Sequence, residues 1–266
     1  MPLLTTASGE IEYAWTGDAP PGGPTIVMLH EGLGSLSMWR DFPQRLADRT
    51  GCRVVAYSRY GYGNSTPLSA PRPISYMHDE ALIVLPELLA NLQVESPILF
   101  GHSDGASIAL IHASRHSVLG VIALAPHVFV EDLSLSGVAA AGAAYEAGDL
   151  RKRLGRHHAD VDGAFRGWHD AWLSPDFREW NIESLLPDIH CPVLAIQGQR
   201  DEYGTRKQLD RIQQRTREVD LLLLPDCRHA PHRDQPEPIL KSVQTWMNAR
   251  LCAHTRIKTR TDPQRV

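Results

Sequence analysis

Residues 96–113 read SPILFGHSDGASIALIHA, and no other stretch restricts the fold as strongly. The apolar run Ile98-Leu99-Phe100 is too short for a helix and suits a buried strand. It enters Gly101-His102-Ser103-Asp104-Gly105, and helical spacing of Ala106, Ile108, Ala109, Leu110 and Ile111 begins at once. A strand that turns directly into a helix needs small residues where its backbone segments crowd, which accounts for Gly101 and Gly105 around Ser103. Such a turn lifts the serine oxygen out of the strand and leaves the next backbone N–H, that of Asp104, free to donate. A glycine-rich turn with an incidental serine has the same local signature, so the rest of the chain must decide.

The strand-then-helix rhythm recurs. Strands are predicted at 11–15, 25–30, 52–57, 97–100, 120–126, 192–198 and 219–226. Helices are predicted at 38–46, 79–92, 104–116, 205–217 and 236–250, with a kink or a division at Pro86. Continuously apolar strands alternating with helices imply an α/β fold whose mostly parallel sheet is covered on both faces. Residues 133–188 break the rhythm with the alanine-rich GVAAAGAAYEAGDL and the aromatic GAFRGWHDAWLSPDFREW, and read as a helical cap inserted between strands. The chain thus divides into a first core segment (1–132), the cap (133–188) and a second core segment (189–252). The polar, basic tail (253–266) is expected to be disordered.

Composition narrows the partners. A net charge of −4 and a pI near 6.3 point away from nucleic acid and from anionic membranes. No window holds the ~18 apolar residues of a membrane helix, and no basic start followed by an apolar run marks a secretory signal. Cys52, Cys191, Cys227 and Cys252 are widely separated, as expected of reduced thiols in a cytoplasmic protein. Oligomeric state leaves no signature.

A serine is a weak nucleophile near neutral pH and needs a base, which in turn needs an orienting carboxylate. The strand–serine turn–helix unit resembles the nucleophile elbow of the α/β-hydrolases, and that resemblance implies the chain order serine, acid, histidine, each just past a strand end. Asp201 follows the apolar run PVLAIQG, and His229 follows LLLL. Ser103, Asp201 and His229 are therefore the expected catalytic residues. Glu202 is an alternative acid, but glycine-x-x-aspartate after the strand favours Asp201. His232 is an alternative base, while Asp188, Asp226 and Cys227 have no comparable placement. In LHEGLGS (29–35), the backbone N–H of Gly32 is expected to complete an oxyanion hole with that of Asp104, His30 to anchor the loop and Gly34 to serve its turn.

Together LHEGLG, SRYGYGNS (58–65), GHSDGA, GQRDEYG and CRHAPHRDQPE resemble the serine-dependent members of the α/β-hydrolase superfamily over residues 10–252. The resemblance implies a sheet of about eight strands, a cap roofing the active site, and no cofactor. Two departures stand out: Glu31 where many relatives have glycine, and Asp104 where a bulky apolar residue is common. Either both acids are neutralised by arginines such as Arg59 or Arg233, or they favour a cationic substrate. Ser103 argues against the relatives that place an aspartate at this turn, the epoxide hydrolases and haloalkane dehalogenases.

The expected substrate is a small ester or related acyl compound. The pocket is expected to involve Glu31, His102, Trp168 and Trp172, the tryptophans lying on a cap stripe with Val161 and Phe165. Arg166 and Arg178 are candidate anion contacts. The histidines His157, His158 and His169 lack a metal-ligand spacing, so no metal is expected. Lactone hydrolysis, carbon–carbon hydrolysis and acyl transfer use the same groups, and a small-molecule receptor with little turnover stays open as a different class.

Overall fold

The computed structural model describes residues 1–18 and 23–258, with side chains described up to Leu251. Among them one sheet is built from β1 (Leu3–Thr6), β2 (Gly9–Thr16), β3 (Thr25–Leu29), β4 (Arg53–Tyr57), β5 (Pro97–His102), β6 (Gly120–Leu124), β7 (Val193–Gly198) and β8 (Val219–Leu224). Their order is β1-β2-β4-β3-β5-β6-β7-β8. β1 and β2 form an antiparallel hairpin, β2 runs antiparallel to β4, and every remaining pair is parallel. The chain therefore has the expected mostly parallel eight-stranded sheet. Seven of the strands match runs read from the sequence. The eighth, β1, is a short edge strand of alternating exposure with no continuous apolar run to announce it.

The pleat divides the core in two. Val27, Leu29, Val55, Leu99, Val121 and Val193 face one apolar layer, while Ile26, Met28, Val54, Ile98, Phe100 and Ile122 face the other. The helices are α1 (Phe42–Thr50), α2 (Tyr76–Asp79), α3 (Leu85–Asn91), α4 (Asp104–Ala113), α5 (Asp132–Glu146), α6 (Asp149–Leu154), α7 (Val161–Leu173), α8 (Lys207–Arg215), α9 (Pro231–Asp234) and α10 (Pro236–Lys258). α4 is buried along its whole length in the first layer, and α1 and α10 cover the second. A mostly apolar helix whose polar side chains, Asp104, Ser107 and His112, are all hydrogen-bonded belongs in the interior.

Three boundaries differ from expectation. Leu36–Trp39 forms a separate 3-10 turn, Arg40 adopts φ 55°, and α1 begins only at Phe42 with Pro43 in its first turn. Between α2 and α3, Glu80–Val84 widens into a π-helical turn just ahead of Pro86, whose missing N–H cannot continue the α pattern. At the other end α10 runs to Lys258, into the segment for which disorder was expected, while 259–266 lie outside the described residues.

Between β6 and β7 the chain forms α5, α6, α7 and two 3-10 turns, Pro175–Glu179 and Glu183–Asp188. Phe129 pairs with Asn181 at the neck where this insertion leaves and rejoins the sheet. Asp160 caps α7 by accepting from Gly163 N–H at 2.9 Å. The α7 stripe of Phe165, Trp168 and Trp172 is buried, with Val161 packed at its edge.

Candidate active site

Ser103 sits between the end of β5 and the start of α4 at φ 53° and ψ −118°, a region L-residues rarely occupy. Its own N–H donates to the Leu124 carbonyl at 2.8 Å, tying the turn to β6. A Cβ at Gly101 would collide with the Gly105 carbonyl, and one at Gly105 with the Leu29 carbonyl. The two glycines are thus demanded by close backbone approach, and the turn exists because they have no side chains.

The ends of β5, β7 and β8 bring three distant side chains together. His229 Nε2 lies 2.9 Å from Ser103 Oγ, and His229 Nδ1 lies 2.8 Å from Asp201 Oδ1. A carboxylate only accepts, so Nδ1 carries the hydrogen and Nε2 offers its lone pair to the serine hydroxyl. Asp201 is itself held by donation from Tyr203 N–H (2.8 Å), Gly204 N–H (3.2 Å) and Gln197 Nε2 (3.1 Å). Burial favours its neutral form, but His229 and these donors outweigh that and push its pKa down to about 2. Burial lowers the His229 pKa, yet Asp201 more than offsets it, leaving the imidazole more basic than an ordinary histidine.

The competing residues lie elsewhere or do other things. Glu202 accepts from His229 N–H at 3.2 Å and pairs with Arg228 at 2.9 Å, steadying the loop instead of orienting the ring. His232 is packed among the rings of Trp39, Phe42 and His102, and neither of its nitrogens has a hydrogen-bond partner among the described residues. Asp226 pairs with Arg200 and Asp188 with Arg115. Cys227 is buried, which pushes its thiol up to about 11.

Both departures at the oxyanion side are paired. Asp104 is fully buried, accepts from the Tyr76 hydroxyl at 2.6 Å and lies 3.8 Å from Arg59 Nη2. Tyr76 Oη in turn accepts from Trp172 Nε1 at 3.0 Å, so the insertion is hydrogen-bonded to the turn that carries Ser103. Glu31 pairs with Arg233 at 2.9 Å and lies 3.4 Å from His102 Nδ1. Burial opposes its ionisation, but His102 and Arg233 hold its carboxyl well below the usual carboxylate range. His102 also donates from Nε2 to the His229 carbonyl at 2.7 Å, bracing the loop that carries His229. His30 donates from Nδ1 to Glu31 O (2.7 Å) and accepts from Arg59 N–H at Nε2 (3.0 Å), the anchoring pattern expected of it. The Gly34 N–H closes the loop's turn on Glu31 O at 3.0 Å.

Above Ser103 is a cavity of about 410 Å³, lined by Glu31, Gly32, His102, Asp104, Trp168 and Trp172 among others. The Trp168 indole lies directly over Gly32. The expected pocket residues are therefore gathered around Ser103, and Gly32 and Asp104 border the same space. Asp104 N–H is one of the donors left open at the start of α4, whose positive dipole end faces the serine. Arg166 and Arg178 do not line this cavity; they pair on the surface with Glu146 and Asp132. His157 contacts Ser37, His158 bridges Gly63 and Leu33, and His169 contacts Asp170, so these histidines are dispersed. Among the described residues no cluster of three or more metal-ligating side chains occurs, and no helix is long and apolar enough to cross a membrane. A larger groove of about 1160 Å³ lies at the opposite ends of the strands and contains none of these groups.

Among the residues of the site that escaped sequence reasoning are Tyr76 and His127. Tyr76 is distant in sequence from both of its partners. His127 lies just past β6 and also lines the cavity. Its place after a strand end is the only signal the sequence carried.

Comparison with known proteins agrees with this architecture. The human (Homo sapiens) serine hydrolase BPHL is 25% identical over 241 residues, covering 84% of this chain and 78% of its own length. The enol-lactonase from Burkholderia xenovorans LB400 superposes with a TM-score of 0.72 at 20% identity, covering 93% of this chain and all of its own. A thermophilic esterase from Thermogutta terrifontis superposes with a TM-score of 0.71 at 20% identity, over 93% of this chain and 97% of its own. The description of the alpha/beta hydrolase family matches residues 26–241, and the chain belongs to that family.

Proposed function

We propose that this protein hydrolyses a small ester or related acyl compound through a covalent acyl-enzyme on Ser103. The observation that carries the reading is the continuous relay from Ser103 Oγ through His229 to Asp201, at 2.9 and 2.8 Å, with the serine on a strained turn facing a cavity. His229 Nε2 takes the hydroxyl proton as Ser103 Oγ bonds to the carbonyl carbon. The resulting oxyanion accepts from the Gly32 and Asp104 N–H groups, and loss of one such donor typically costs about 2.7–4 kcal/mol. His229 then gives its proton to the departing alkoxide, leaving the acyl-enzyme. Water attacks this ester while His229 takes its proton. The second tetrahedral intermediate collapses to the free acid, and the proton returns to Ser103. Asp201 stays ionised throughout, holding the tautomer and stabilising the imidazolium.

The pairing of Asp104 with Arg59 and of Glu31 with Arg233 supports an uncharged substrate, because neither acid is left to attract a cation. The test is a panel of uncharged esters, lactones and diketones assayed with and without competing alcohols. Acid release that depends on Ser103 and is not diverted by alcohols supports hydrolysis. Preferential formation of a new ester would instead make the protein an acyltransferase. Turnover that persists in Ser103→Ala would contradict the serine reading.

A further inference from the structure

His127 is used by none of the steps above, yet it is built into the same cavity. It is 2% exposed, and its Nδ1 has no hydrogen-bond partner among the described residues. Its backbone is firmly held: the N–H donates to Ser107 Oγ at 3.2 Å and the carbonyl accepts from the Ser107 hydroxyl at 2.6 Å. The ring therefore has a set position, edge-on to Trp172 at 5.1 Å and 5.8 Å from His229.

Other buried histidines of this chain show what a structural role looks like. His30 and His158 each have both ring nitrogens bonded to the backbone. Buried polar atoms are rarely left without partners, so a cavity-lining histidine whose ring makes no hydrogen bond to the fold is a candidate to meet a ligand. Among the described residues His102 Nδ1 and both His232 nitrogens also lack a hydrogen-bond partner, but His102 lies 3.4 Å from Glu31 and is held through Nε2, while aromatic rings enclose His232, which does not line the cavity. Burial, reinforced by the neighbouring His229, pushes the His127 pKa down to about 3, so the ring is neutral near pH 7. A neutral imidazole offers one donor and one acceptor. A hydroxyl or a carbonyl satisfies it. A charged group would lose its hydration against Val138, Leu154 and Trp172, while the arginines that line the cavity, Arg228 and Arg233, are already paired with Glu202 and Glu31.

We propose that His127 is a substrate-recognition residue: the compound cleaved at Ser103 carries an uncharged oxygen function, hydroxyl or carbonyl, on the arm lying against Trp172, and that oxygen hydrogen-bonds to the imidazole. The inference rests on the serine-hydrolase reading and narrows its substrate class. A plain alkyl arm in the same place offers the imidazole no partner, a difference worth roughly 10- to 100-fold in binding.

The test is protection of Ser103 from a fluorophosphonate by matched pairs of uncharged esters. Members of each pair differ only in CH₂ against C=O or CH–OH, placed at successive positions of the acyl arm and then of the alcohol arm. One oxygenated member is expected to protect at about tenfold lower concentration than its CH₂ partner. In His127→Leu that preference should shrink to within about threefold, and in His127→Gln, which keeps a donor and an acceptor, part of it should survive. If His127→Leu does not fold by circular dichroism, His127→Phe repeats the measurement with a ring that has no nitrogen. Equal protection within every pair, or a preference that survives loss of the nitrogens, overturns the proposal. Failure of Ser103 to label in the native protein overturns the nucleophile reading instead, so the two failures are distinguishable.

Discussion

The floor and the roof of the cavity are made in different ways. The floor consists of strand ends and the start of α4, where Ser103, His229 and Asp201 are linked by hydrogen bonds and Asp201 is held by three further donors. The roof comes from the insertion, and its contribution is mainly apolar: Val138, Leu150, Leu154, Trp168 and Trp172. Hydrogen-bonded groups on rigid strand ends hold a geometry, whereas apolar side chains on helices present a shape. The proposed division of labour follows, with chemistry on the floor and selection on the roof. The two meet in one chain of contacts, Trp172 to Tyr76 to Asp104 to Arg59.

The division is tested hardest on the floor. Asp201→Asn leaves the shape of the site but removes the charge that sets the His229 tautomer, and kcat for a good ester should fall about 10⁴-fold. The pH profile gives an independent reading. Only neutral His229 can take the Ser103 proton, so kcat/KM should rise with pH through a value above the ordinary histidine pKa. In Asp201→Asn the residual activity should have this limb moved to lower pH. An unmoved limb would contradict the assignment of Asp201.

The junction between floor and roof comes next. Asp104→Asn keeps a partner for Tyr76 but takes the nearby Asp104 carboxylate from the buried Arg59 charge, leaving Glu80 to offset it, and stability to urea should drop by about 3 kcal/mol. A drop below about 0.5 kcal/mol would mean the pair is not the support it is taken to be. Roof substitutions should act mainly on KM. Trp168→Ala should raise KM for bulky esters about tenfold, with a much smaller change in kcat, because it removes shape and leaves the relay alone. Trp172→Phe keeps the ring and loses only the hydrogen bond to Tyr76, an effect near 1 kcal/mol in stability. A roof variant that lowers kcat as strongly as Asp201→Asn would erase the distinction.

The same contrast governs how much was legible in the sequence. The unit β5–Ser103–α4 was readable because a continuous apolar strand, two glycines closing on backbone oxygens, and a largely apolar helix leave few alternatives. Asp201 and His229 were readable as polar residues directly after apolar strands. Arg59 and Arg233 were nameable as candidate partners of the two acids, but which arginine meets which acid depends on packing across the sheet. β1 was missed because four alternating residues at an edge have too little pattern. Tyr76 and His127 were missed for a different reason. Their significance comes from contacts with residues far along the chain, and a lone tyrosine or histidine beyond an element end carries no local mark of such contacts.

The central claim is an activated serine at position 103. The direct measurement is reaction of the purified, folded protein with a fluorophosphonate, followed by mass spectrometry of the adduct, with Ser103→Ala as the control. The account predicts one stoichiometric adduct on Ser103, absent in the variant, and lost on denaturation before treatment. No adduct on folded protein, or an adduct on another residue, would contradict it.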